Sequence, residues 1–194
     1  MFPKTPAITL YDPLGELLGA GDGHFTYTFD DAVKLAGHAC PTVVSAFLMA
    51  CKAIELLFPN ETPQRGDIGI QVCGSMEDQV HGPITQVFTL LTGAAAKNGF
   101  QGLGGQFNRK DLLQFQLKEK PSSIFTFQRL STGKSIRLQA NLTAFPPSPI
   151  IGTLLPRILG GVASEEEQAT FRTAWRQRVV NILQDAGGQT IWQV

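Results

Sequence analysis

The sequence predicts an α+β fold: a buried helix over residues 41–58 set against a mixed or antiparallel sheet, with a C-terminal helix. Three observations carry this reading. Segment 41–58, PTVVSAFLMACKAIELLF, is apolar around almost its whole circumference, with Ser45, Lys52 and Glu55 forming one narrow polar stripe. A helix of that kind is buried in a core or in a subunit interface. Segments 112–118, 123–130 and 134–144 alternate apolar and polar residues, the period of half-buried strands. The order helix, strand, helix, several strands, helix lacks the regular alternation of a parallel βαβ protein.

In chain order, residues 1–29 read as an extended lead-in broken by Gly15, Gly19, Gly21 and Gly23. Asp30 and Asp31 suit the first turn of a short helix over 30–37, and Gly37 suits its stop. Pro41 fits the first position of the next helix, where a missing N–H costs nothing, and Pro59 ends the run. Residues 67–73, DIGIQVC, form a strand that ends at Cys73. A polar loop, GSMEDQVHG, leads to a second long helix over 83–95 opened by Pro83, with Ile84, Val87, Phe88 and Leu91 on one face. Residues 98–105, NGFQGLGG, form a glycine-rich loop. The three alternating strands, joined by turns at 120–122 and 131–134, read as an antiparallel meander. Segment 145–153, FPPSPIIGT, carries three prolines and reads as an irregular linker. Ser164 and Glu167 make a capping-box pattern for a helix over 165–185. Gly187 and Gly188 stop that helix, and residues 189–193 form a last short strand. The expected organisation is an α+β domain over 1–144, a proline-rich linker over 145–153, and a helical extension over 154–194 packed on the same domain.

Composition narrows the function. Lys plus Arg equals Asp plus Glu at 16 each, which argues against a dedicated nucleic-acid binder. Charged residues are 16% of the 194, below the roughly 25% of an average globular chain. A surface with so little charge fits one partly covered by another subunit. No apolar run approaches the roughly 18 residues that span a membrane, and the N-terminus does not resemble a signal peptide. Three cysteines make a poor disulfide framework and fit a reducing cytoplasm.

The chemistry-bearing residues are unevenly placed. His24, His38, His81, Cys40, Cys51 and Cys73 all fall between residues 24 and 81, and His and Cys are the ligands of zinc and its neighbours. Gly37-His38-Ala39-Cys40-Pro41 is the sharpest feature. Residues two apart on an extended segment point the same way, so both side chains can face one ion. The positive end of the helix dipole at Cys40 favours the thiolate that binds a metal or attacks an electrophile. A buried thiol beside a backbone-satisfied histidine is the plainer account of the same residues. Cys51 is eleven residues on, roughly 16 Å along the helix, too far to share an ion with Cys40, and reads as a core residue. Cys73 at a strand end, His81 just before a helix and His24 in a glycine-softened loop are further candidates. Met76-Glu77-Asp78 reads as a solvated loop. The run Gly99–Gly105 matches neither a dinucleotide fingerprint nor a phosphate-binding loop, and no Gly-x-Ser-x-Gly elbow is present.

The segment Gly37-His38-Ala39-Cys40-Pro41, followed by a long apolar helix, resembles the signature of the FmdE family of formylmethanofuran dehydrogenase proteins. Thr85–Gly93, TQVFTLLTG, resembles that family's second helix ending in Leu-Thr-Gly. The likeness covers residues 30–118. It implies an α+β domain that binds a metal, commonly zinc, and pairs as a homodimer, in some settings beside a partner enzyme. It carries His38 and Cys40 over as ligands. The chain departs from the pattern at Ala36, where the family often has His, at Thr42, where it has Gly, and near Pro83, where a Cys opens the second helix. Cys73, His81 and His24 are then the natural substitutes, and the zinc-ribbon cysteines of some members are absent.

The leading expectation is a cytoplasmic zinc or other transition-metal protein with His38 and Cys40 as ligands, completed by some of Cys73, His81 and His24. One rival is an enzyme with Cys40 as nucleophile and a His as base. The other is a binding or delivery module without turnover, holding a haem or pterin-like cofactor.

Overall fold

The computed structural model describes residues 2, 6–78, 80–117 and 123–194. In chain order the elements are β1 (Ile8–Tyr11), α1 (Pro13–Leu17), β2 (His24–Tyr27), α2 (Phe29–Ala36), α3 (Pro41–Leu57), β3 (Ile68–Cys73), α4 (His81–Thr92), β4 (Leu113–Gln116), β5 (Ile124–Arg129), β6 (Ser135–Ala140), α5 (Pro149–Leu159), α6 (Glu165–Gln184) and β7 (Ile191–Gln193). The fold is α+β, with a five-stranded mixed sheet and a separate two-stranded one.

α3 lies at the centre because its sequence leaves it nowhere else to go. Val43, Val44, Phe47, Leu48, Met49, Ala50, Ile54 and Leu57 point to different sides of the helix and all are buried. Helices α2, α4 and α6 cover part of that circumference, and β5, β6 and β7 cover the rest. The sheet turns one face inward: Ile68, Ile70, Val72, Phe125, Phe127, Ile136 and Leu138 alternate along their strands and join the α3 core. Phe88 of α4 packs edge-to-face on Phe125 and Phe127, at 5.2 and 5.0 Å between ring centres. α6 reaches the same core through Val179, Ile182 and Leu183. Ser164 and Glu167 form the expected capping box at its start.

Four expectations change. The lead-in before residue 29 is structured: β1 and β2 pair antiparallel, Ile8 opposite Tyr27. Asp12, with Pro13 behind it, caps α1 between them. The strands do not form a meander. The order is β4-β3-β5-β6-β7, with β4 parallel to β3 and β5 antiparallel to it. β3 takes the inner position because its Ile68, Ile70 and Val72 are all buried, whereas alternation alone names no neighbour. The expected turn at 120–122 lies outside the described residues. α4 begins at His81 rather than Pro83, since the first turn of a helix tolerates proline. The segment 145–153 is not irregular throughout: Pro149 opens α5, at the first helical position where its fixed φ is already suited.

Among the described residues, no helix is long and apolar enough to cross a membrane.

Candidate functional site

Residues 37–40 form the short connection between α2 and α3. Gly37 ends α2 in the left-handed conformation, φ 73°, which a residue without a Cβ adopts at no steric cost. The chain then runs extended into Cys40, the N-cap of α3 at φ −145° and ψ 167°. Cys40 Sγ accepts the Val43 N–H at 3.5 Å, the place usually taken by a Ser or Asp oxygen. His38 is exposed, and its Nδ1 lies 2.9 Å from the Ala36 carbonyl oxygen. A carbonyl only accepts, so in the neutral ring Nδ1 carries the hydrogen and Nε2 keeps the lone pair. Trp175 of α6 donates Nε1–H to the Ala39 carbonyl at 2.8 Å. The C-terminal helix therefore pins the residue between the two candidate ligands.

The same tautomer recurs at the other two histidines. His81 Nδ1 sits 3.0 Å from the Ser75 carbonyl, and His24 Nδ1 sits 3.1 Å from the Asp22 carbonyl. Their surroundings differ. His81 is buried within the first turn of α4 and meets Phe125 edge-on at 5.8 Å. His24 belongs to β2 rather than to a loop and packs on Tyr11 at 5.3 Å. The loop before α4 is tied locally: Asp78 accepts the Ser75 N–H and its carbonyl accepts from His81 N–H at 2.9 Å. Cys73 ends β3 opposite Gln116 of β4, with its thiol 3.9 Å from Gln116 Oε1. Leu35 near the end of α2, Met76, and Gly82 and Thr85 of α4 line one cavity of about 310 Å³. His38, Cys40 and His81 themselves are not among its lining residues. Among the described residues, no three His, Cys, Asp or Glu side chains gather closely enough to hold an ion.

Cys51 behaves as the sequence implies. It packs against the core from the middle of α3, and burial, aided by Glu55, pushes its thiol up to about 12.

A second polar site has no counterpart among the sequence-based expectations. Asp12 lies between two guanidinium groups, with Arg65 Nη1 at 3.0 Å from Oδ2 and Arg109 Nη2 at 2.7 Å from Oδ1. Asp12 Oδ1 also caps α1, accepting from Leu14 and Gly15 N–H. Arg65 also donates from Nε and Nη2 to the Leu91 and Leu90 carbonyls at the end of α4, at 3.0 and 3.1 Å. Burial lowers the Arg109 pKa and Asp12 pulls against it. The Asp12-Pro13 pair marks a helix start in the sequence; nothing local marks its two arginine partners.

No protein-family model matches this chain, and no curated protein matches it either.

Proposed function

We propose that this protein binds a transition-metal ion, zinc by the chemistry of the donors, through His38 and Cys40, with a second copy of the chain completing the shell. The observation that carries the reading is the 37–40 connection itself. It presents an imidazole with Nε2 as its acceptor and a thiol two residues later, on backbone held by α2, α3 and Trp175. A metal-bound histidine commonly donates its other ring N–H to a carbonyl, which fixes the ring and the tautomer; His38 has that arrangement through Ala36.

The donor types fit zinc, and their number does not fill it. Structural zinc takes four ligands, and the described residues gather no set of three. A His and a Cys from each of two copies supply the four. The low charge content and the exposed Leu35, two residues before the connection, favour a surface that a second copy covers. The likeness to the FmdE family supports the same reading, since that family implies a metal and a dimer. Cys73, His81 and His24 play no part in it, because His81 is buried in α4 and His24 belongs to the two-stranded sheet, while Cys73 pairs with Gln116 at the end of β3.

The test is elemental analysis of untagged protein beside a His38→Ala/Cys40→Ala variant, with sedimentation of both in the presence and absence of chelator. The expected result is zinc at one ion per pair of chains, lost in the variant, and a dimer that chelator dissociates. No metal in either protein overturns the reading. Rapid alkylation of Cys40 that chelator leaves unchanged then points to the thiol as a nucleophile.

A further inference from the structure

The Asp12 cluster sets two guanidinium groups against one carboxylate. Arg109 is only 8% exposed, and a buried charge is ordinarily paired and hydrogen-bonded throughout. Its acceptor is Asp12 Oδ1, through Nη2. Asp12 Oδ1 also accepts from the Leu14 and Gly15 N–H groups, and Oδ2 accepts from Arg65. Two guanidinium groups on one carboxylate leave an excess of positive charge. No acceptor among the described residues faces Arg109 Nε or Nη1. These nitrogens are not sealed away: among the described residues, the sealed side-chain atom without a partner is Asp30 Oδ1. Some solvent therefore reaches these nitrogens.

Arg109 and Arg65 line a cavity of about 300 Å³ together with Gln64, Gln106, Asn108 and Phe107. Among the described residues, no acidic side chain lines it. Amide groups at the rim are neutral donors that suit an anion, and the volume is at the small end of ligand sites. The wall is made to measure around Arg109. A Cβ at Gly66 would stand 1.4 Å from Nη1, and Gly66 holds φ 89°. Phe107 on the same wall sits at φ 59°, a conformation that a bulky side chain rarely adopts and that clusters at functional sites.

We propose that this cavity binds a small oxyanion, the carboxylate or phosphate group of a ligand, beside Arg109 and between Gln64 and Gln106. The site is independent of the His38–Cys40 metal reading. If Arg109 were only a staple for the 99–110 loop, changing the rim would not matter to any ligand.

The experiment is calorimetric titration of the full chain with inorganic phosphate and, separately, acetate, against chloride at equal ionic strength. A Gln64→Glu/Gln106→Glu variant runs beside it; both residues are exposed and stand at the rim, outside the Asp12 ion cluster. Saturable binding by one anion above the chloride control is expected, weakened at least about tenfold by the rim carboxylates, with an unchanged thermal midpoint in the absence of anion. Preference for phosphate identifies a phosphorylated ligand, and preference for acetate a carboxylic acid. No saturation by either anion in folded wild-type protein overturns the proposal, as does saturation that the rim variant leaves unchanged.

Discussion

The 37–40 connection and the Asp12–Arg65–Arg109 cluster are both polar sites, and they are built in opposite ways. His38 and Cys40 are two residues apart, each held mainly by short-range backbone contacts. Asp12 meets residues 53 and 97 positions away, in the interior. Short-range sites cost little to form and contribute little to the fold. A buried long-range ion cluster is the reverse: each charge has left water, so each depends on the others remaining in place.

The largest expected effect breaks that cluster. Asp12→Ala leaves the buried Arg109 and the half-buried Arg65 guanidinium groups with no counter-charge and removes the α1 cap, for a loss of about 3–5 kcal/mol, read from urea denaturation. A loss below about 1 kcal/mol would put the pair in the class of exposed ion pairs and dissolve the contrast. Gly66→Ala comes next. Its Cβ enters the space of Arg109 Nη1 at a positive φ, for a loss of about 1–3 kcal/mol. Most of the steric part vanishes in an Arg109→Ala background if the clash is the cause, which a double-mutant cycle measures.

The 37–40 connection responds differently. In metal-free protein, His38→Ala/Cys40→Ala costs about 1 kcal/mol or less, the scale of a lost helix cap, while metal retention disappears. Under the proposed metal reading, Cys40→Ser keeps a capping acceptor and loses the metal, which separates capping from ligation. The smallest effect contrasts the two thiols of α3. With its thiol pushed up to about 12, Cys51 holds a thiolate fraction on the order of 10⁻⁴ at pH 8. Iodoacetamide at pH 8 therefore leaves Cys51 unmodified until the chain is denatured, while Cys40 in metal-free protein reacts; mass spectrometry of the digested protein reads both.

A third local site, at Asp185, sets a pH dependence of known sign. Burial raises its carboxyl, but the Thr190 hydroxyl and the N–H groups of Gln189, Thr190 and Gly187 outweigh it and hold the group below its ordinary 3.8. A depressed folded value contributes stability above the unfolded value and loses it as pH falls through the folded one. The urea midpoint of wild-type protein should fall more steeply below pH 4 than that of Asp185→Asn. Parallel curves would show that the Asp185 contacts do not survive in solution.

By itself the sequence determined the elements whose causes are local. The apolar circumference of 41–58, with Pro41 before it, specifies a buried helix, and α3 occupies 41–57. Ser164 with Glu167 specifies the start of α6 at residue 165. Gly37 ends α2, and alternation marks β4, β5 and β6. Proline was the misleading signal at 83 and 149, because a residue excluded from helix interiors is welcome in a first turn. His38 and Cys40 were visible because their spacing is short.

Only the tertiary structure decided which strands are neighbours, since alternation fixes the face of a strand and leaves its partner open. The insertion of β3 between β4 and β5 followed from burying Ile68, Ile70 and Val72. It also decided that Asp12, Arg65 and Arg109 meet. In sequence they are three ordinary charged residues in a chain of zero net charge. They acquire a shared role when the ends of β1 and α4 and the glycine-rich loop close around one point, where low solvent access makes each charge dependent on the next.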